Sequence, residues 1–255
     1  MVKMYVQNDM WKEIPLLHVY DEKMNEHTPI VIFLHGFQSA KEHNLHYAYQ
    51  LVKKGIRVIL PDAKFHGDRS ENLSDGKMNL HFWEIVLQSI EEVGELYNEL
   101  LSRNFTGKIG VAGTSMGGIV ISGCLKKYDW ISTAAICMGA PGFVELSNYQ
   151  LNQFEQLGVE LPMTSEQKDQ LQALLAEYDI TREPEKFNQR PVIFWHGEKD
   201  TTVPFKNTYH FYMQLRSYYV QEQNHLKFIA SPNSGHKVPR EGVLAVTDWL
   251  SQHLA

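Results

Sequence analysis

Six short apolar runs, at 30–35, 56–60, 108–113, 132–138, 191–196 and 226–230, recur along this chain with helical segments between them. The helical segments fall at about 43–54, 78–102, 116–127, 205–219 and 240–253. A strand that is apolar at successive positions has no face to give to water, so both faces of the sheet must be covered. Alternation with helices then implies an α/β fold built on a mostly parallel sheet, wound by right-handed crossovers. Binding crevices of such sheets lie beyond the carboxyl ends of the strands. The opening stretch, from Met4 to Tyr20, has two short apolar segments separated by Asn8-Asp9 and predicts an antiparallel hairpin at the sheet edge, giving eight strands in all.

The run 108–112 leads directly into Gly113-Thr114-Ser115-Met116-Gly117. A G-x-S-x-G at the end of a strand is a tight turn into a helix that raises the serine hydroxyl above the sheet edge. The turn needs glycine at 113 and 117 because a Cβ there would meet the neighbouring strand or helix turn. Ser115 then stands beside the unpaired N–H groups of a helix N-terminus, where negative charge is favoured. A serine hydroxyl becomes nucleophilic only when a base takes its proton and an acid orients that base. Downstream, the loop leaving the 191–196 run carries Asp200, with Glu198 as a rival two residues earlier. The loop after the 226–230 run ends in His236, whereas His225 precedes a strand and His253 lies in the terminal helix. The order Ser115, Asp200, His236, each just past a strand, is the order this elbow predicts. The 30–35 run ends in His35 and turns at Gly36-Phe37, so the backbone N–H groups of Phe37 and Met116 are the expected oxyanion donors.

These residues carry a resemblance. His35-Gly36-Phe37, the Gly113 to Gly118 segment, His196-Gly197-Glu198-Lys199-Asp200 and Gly235-His236 resemble the α/β-hydrolase superfamily. Within it, they look like the carboxylesterase, dienelactone-hydrolase-like and prolyl-oligopeptidase-like branch. The loop at 61–69, Pro-Asp-Ala-Lys-Phe-His-Gly-Asp-Arg, is similar to the loop that follows the fourth strand in that branch. The resemblance covers nearly the whole chain from residue 30. It implies an α/β-hydrolase fold and a serine carboxylesterase working through an acyl-enzyme, with no cofactor and a small-molecule ester as partner. A peptidase, a thioesterase or an acyltransferase would use the same triad, and a ligand-binding protein could retain the fold without turnover. Dienelactone hydrolases proper have a cysteine nucleophile, so serine here implies no lactone-diene chemistry. A prolyl oligopeptidase would carry a propeller for which this chain has no room. His35 and His66 are expected to touch substrate.

Between Pro141 and Pro191 about fifty residues show no strand pattern, too long for a simple connection. Leu146, Tyr149, Phe154 and Leu157, then Leu171, Leu174, Leu175 and Tyr178, recur near helical spacing on polar stretches. The segment at about 142–190 is therefore expected to form a helical cap over Ser115, inserted into a single domain spanning 1–255. A length of 255 residues suits one large core. The net charge of −6 argues against a nucleic-acid surface. No stretch approaches the roughly 18 apolar residues of a membrane span, and residues 1–9 lack a secretory apolar region, so no membrane partner and cytoplasmic residence are expected. Cys124 and Cys137 are read as core residues rather than a disulfide framework. His35, His43, His46 and His66 lack the carboxylate or thiol set of a metal site, and none is expected. A homo-oligomer is left open.

Overall fold

A computed structural model of the chain describes residues 3–158 and 162–255. Its centre is one eight-stranded sheet: β1 (Met4–Trp11), β2 (Ile14–Asp21), β3 (Ile30–Leu34), β4 (Arg57–Pro61), β5 (Ile109–Thr114), β6 (Thr133–Cys137), β7 (Val192–Gly197) and β8 (Leu226–Ser231). The strand order is β1-β2-β4-β3-β5-β6-β7-β8. The β1–β2 and β2–β4 pairs are antiparallel, and every pair from β4 across to β8 is parallel. Parallel pairing from β3 to β8 places the carboxyl ends of β3, β5, β7 and β8 along one edge of the sheet.

The wholly apolar strands are buried on both sides. In β3, Ile30, Ile32 and Leu34 join one core layer while Val31 and Phe33 join the other, as the two-residue alternation of a strand requires. Helices α1 (Leu45–Lys53) and α8 (Arg240–Leu254) fill the Val31 side through Tyr47, Leu51, Val246 and Leu250. On the Ile32 side pack α3 (Phe82–Ser102) and α4 (Met116–Lys127), through residues such as Ile90, Val93, Ile119 and Val120. Both Cys124 and Cys137 are buried, on opposite sides of the sheet, with their thiols pushed up in pKa by burial. No helix among the described residues is long and apolar enough to cross a membrane.

Three local expectations need correction. The hairpin turn falls at Lys12-Glu13, both in left-handed backbone with φ of 51° and 62°, and not at Asn8-Asp9. Asn8 and Asp9 instead pair with Leu17 and Leu16 inside β1. That strand is the sheet edge, so its polar side chains reach water, and the Asp9 carboxylate accepts the indole N–H of Trp11 at 2.9 Å. The helix expected over 78–102 is broken at His81, leaving α2 (Asp75–Leu80) before α3, although neither glycine nor proline marks the break. Helix α7 (Phe205–Leu215) stops short of residue 219 and tightens into a 3-10 turn at Arg216–Tyr218.

Between β6 and β7 run α5 (Phe143–Gln156) and α6 (Ser165–Tyr178). A capping box starts α6: the Thr164 hydroxyl accepts the Gln167 N–H, and the Gln167 side chain accepts the Thr164 N–H. Phe143, Leu146 and Leu175 anchor the pair in the core layer that contains α3 and α4. Leu157 lies past the end of α5 and is 75% exposed, outside the apolar stripe expected of it. Residues 159–161 of the 142–190 segment lie outside the described residues.

Candidate active site

Ser115 is the residue between β5 and α4, with φ 54° and ψ −118°. A non-glycine residue there is strained, and the surroundings hold it in place. Its N–H donates to the Cys137 carbonyl at the end of β6 (2.8 Å), and its carbonyl accepts the Ile119 N–H in the first turn of α4 (3.0 Å). The flanking glycines allow the close approach. A Cβ on Gly113 would run into the backbone of Gly117, and one on Gly117 into the carbonyl of Leu34. Gly117→Ala is therefore expected to lower stability by about 3 kcal/mol, the upper end for overpacking, because backbone cannot move aside as a side chain does. Thermal melting by circular dichroism checks this, and an unchanged Tm would refute it.

The hydroxyl of Ser115 donates to Nε2 of His236 at 2.7 Å, and Nδ1–H of His236 donates to Oδ2 of Asp200 at 2.7 Å. Three loops at the carboxyl edge of β5, β7 and β8 thus converge on one hydrogen-bonded line. Glu198, the rival acid, is exposed, and it is Asp200, 6% exposed, that reaches the imidazole. Oδ1 of Asp200 accepts the backbone N–H groups of Thr202 (2.9 Å) and Val203 (3.0 Å). His196, the last but one residue of β7, brings Nε2 to 3.3 Å from Oδ2 while also facing the Val203 carbonyl at 2.9 Å. Burial alone would raise the Asp200 carboxyl. The bonds from His196, His236 and the Val203 amide outweigh it and hold the group well below the usual carboxylate range. The sequence gives His196 no role beyond its place in the 196–200 motif, although its spacing of four residues from Asp200 across a strand end is a usable signal.

Gly36 lies against Ser115, with an ideal Cβ position 3.4 Å from that of the serine. Among the described residues, the backbone N–H groups of Phe37, next to Gly36, and of Met116, next to Ser115, have no backbone acceptor. His35 and His66, expected to touch substrate, are given to the backbone instead. His35 is 1% exposed, with Nδ1 donating to the Gly36 carbonyl (2.8 Å) and Nε2 accepting the Ala63 N–H (3.0 Å). Its burial pushes the imidazole pKa down to about 4. His66 is equally enclosed: Nδ1 donates to the Lys64 carbonyl (2.8 Å) and Nε2 accepts the Gln38 N–H (3.0 Å). With both ring nitrogens occupied, neither has a polar atom left for a ligand.

Beneath these histidines lies a buried ion pair that no sequence pattern announced. The Lys41 ammonium meets the Asp62 carboxylate at 2.6 Å and Asp68 at 2.8 Å. Asp62 also accepts the N–H groups of Lys41 and Asp68. Burial would lower the Lys41 pKa, but the Asp62, Asp68 and Glu42 carboxylates raise it further than burial lowers it. The pair clamps the 62–69 loop to the turn before α1.

A cavity of about 560 Å³ opens over Ser115. It is lined by Phe37, Phe82 and Trp83 and by Leu146, Phe154 and Leu171 of α5 and α6. The indole N–H of Trp83 donates to the Gln150 side chain at 2.9 Å, and the Tyr149 hydroxyl donates to the Thr201 carbonyl at 3.1 Å. These bonds tie α5 to α3 and to the loop of Asp200.

The chain is 44% identical over 253 residues to YitV of Bacillus subtilis (strain 168), a protein provisionally named an esterase, covering 98% of this chain and 99% of that one. It is 29% identical over 248 residues to the esterase YjfP of Escherichia coli (strain K12), covering 95% and 96% of the two chains. The crystal structure of TT1662 from Thermus thermophilus superposes with a TM-score of 0.79 at 20% identity, over 99% of this chain and 98% of that one. With residues 43–255 also matching the prolyl oligopeptidase family model, and with its strand order and elbow in place, the chain belongs to the prolyl oligopeptidase family of α/β-hydrolases.

Proposed function

We propose that the protein hydrolyses carboxylic esters of short to medium acyl chains, with Ser115 as nucleophile, His236 as general base and acid, and Asp200 as the group that orients His236. The enzyme is a serine carboxylesterase. The observation that carries the residue assignment is the unbroken hydrogen-bond line from Oγ of Ser115 through His236 to Asp200, opening on an apolar cavity. His236 Nε2 takes the Ser115 proton as Oγ bonds to the ester carbonyl carbon. The carbonyl oxygen becomes an oxyanion between the N–H groups of Phe37 and Met116. Collapse breaks the C–O bond, and the alcohol leaves with the proton from Nε2. Water then gives a proton to His236 and attacks the acyl carbon, and collapse returns that proton to Oγ, releasing the acid and the free serine.

Helices α5 and α6 act in this reading as a cap that covers the acyl or alcohol group with apolar side chains. The cavity lies within the usual range of small-ligand sites, about 300–1,000 Å³. Turnover of p-nitrophenyl esters is the test, from acetyl to long acyl chains. Efficiency is expected to rise over the first few carbons, as each methylene finds apolar wall worth about 0.8 kcal/mol, and to fall once the chain outgrows the cavity. A flat profile would remove the acyl-pocket assignment, and absence of turnover on every ester would remove the function.

A further inference from the structure

The segment at 36–39, between β3 and the turn before α1, belongs to no strand, yet its geometry must be exact to within a fraction of an ångström if the Phe37 N–H is to meet an oxyanion. Gln38 sits with φ 57°, a left-handed conformation that is strained for a non-glycine residue. Its N–H donates to Nε2 of His66 at 3.0 Å. The other ring nitrogen of His66 is 2.8 Å from the Lys64 carbonyl. A carbonyl can only accept and an amide N–H can only donate, so Nδ1 carries the proton and Nε2 is bare. The same ring stands edge-on to Phe37, with centroids 5.6 Å apart and planes at 67°, and Phe37 in turn meets Phe82 at 5.3 Å. His66 is itself held, because Asp62 accepts the N–H of Asp68 two residues beyond it and that of Lys41 in the turn before α1, and a Cβ on Gly67 would overlap the Asp62 carboxylate.

We propose that His66 is a positioning residue for the oxyanion hole: its bare Nε2 holds the Gln38 amide and so fixes the peptide next to Phe37, setting the direction of the Phe37 N–H. The inference rests on the reading above in which that N–H receives the oxyanion. It gives His66 a part in transition-state stabilisation without contact with substrate.

Two variants isolate the single bond. His66→Gln keeps an acceptor near the Nε2 position and can still meet Gln38. His66→Asn keeps only a group near Nδ1, able to meet Lys64 but not Gln38. Steady-state kinetics on p-nitrophenyl butyrate are expected to show kcat falling about 10- to 100-fold in His66→Asn, with KM within about twofold, and His66→Gln recovering most of the loss. The inhibition constant of a trifluoromethyl ketone, whose adduct with Ser115 places an oxyanion in the same hole, should rise in His66→Asn by the factor that kcat/KM falls. Equal kcat in the two variants, or a loss confined to KM or to Tm, overturns the proposal. Ser115→Ala run alongside separates the two levels: if it retained parental turnover, the functional reading itself would fail, whatever the His66 variants did.

Discussion

Alanine at Ser115 is expected to lower kcat on a p-nitrophenyl ester by about 10⁴- to 10⁶-fold, and alanine at His236 by a similar factor. Ser115 Oγ and His236 Nε2 are 2.7 Å apart, so the two act as one unit, and losing either leaves the other with nothing to do. The double variant should therefore be no slower than the worse single variant. On the proposed mechanism, what survives in all three is stabilisation by the Phe37 and Met116 amides together with binding, of the order of 10³ over water in other serine hydrolases. Release of p-nitrophenolate over hours, with circular dichroism to confirm folding, measures each variant against a no-enzyme blank. Losses that multiplied in the double variant would show two independent contributions and would break the proposed pairing. A single variant retaining more than about 1% of turnover would break it more directly.

Asp200→Asn is expected to cost about 10⁴ in kcat with little change in KM. Oδ2 of Asp200 accepts from Nδ1–H of His236, which leaves Nε2 bare toward Ser115. An asparagine held by the same Thr202 and Val203 amides through its oxygen would offer an N–H donor at the other position. Imidazole would answer with the opposite tautomer, placing its proton on Nε2 where a base is needed. The substitution also removes a charge that the fold has stabilised. Because the folded carboxyl titrates below its ordinary value of 3.8, its contribution to stability is present above that pH and is lost as pH falls through the depressed folded value. The Tm gap between the parent and Asp200→Asn should accordingly be widest above about pH 4 and narrow in stronger acid. A gap that widened in acid would contradict the depressed pKa, and an Asn variant at full speed would remove Asp200 from the mechanism.

The parts of the site legible in the sequence are those written within a few residues. An apolar run followed by Gly-x-Ser-x-Gly states a strand, a tight turn and a helix start, and the structure has Ser115 at that joint with both glycines against backbone. Asp200 and His236, which the structure brings into hydrogen bonds with each other and with Ser115, could be picked out for the same reason, each being a polar residue just beyond a buried strand. The errors have a common cause. Asn8-Asp9 has turn chemistry, but an edge strand tolerates polar residues, and the chain turned later at Lys12-Glu13. His35 and His66 stand in site motifs, yet their nitrogens are taken by Ala63 and Gln38 amides 28 positions away in each case. Leu157 fits the helical spacing and still faces solvent because α5 ends at Gln156.

By itself, then, the sequence determined the eight strands, the placing of Ser115, Asp200 and His236 each just past a strand, and the glycines on either side of Ser115. Those depend on hydrophobic alternation and turn sterics, which act over a handful of residues. Only the tertiary structure decided the strand order, the hydrogen bond of His236 to Asp200 and not Glu198, the backbone partners of His35 and His66, and the cavity lined by α3, α5 and α6. The Ser115–His236 bond joins positions 121 residues apart, and the Asp200–His236 bond positions 36 apart. Such partners are chosen by how helices and sheet pack, because a buried polar atom must be satisfied by whatever group the fold brings within about 3 Å, and no local pattern encodes that neighbour.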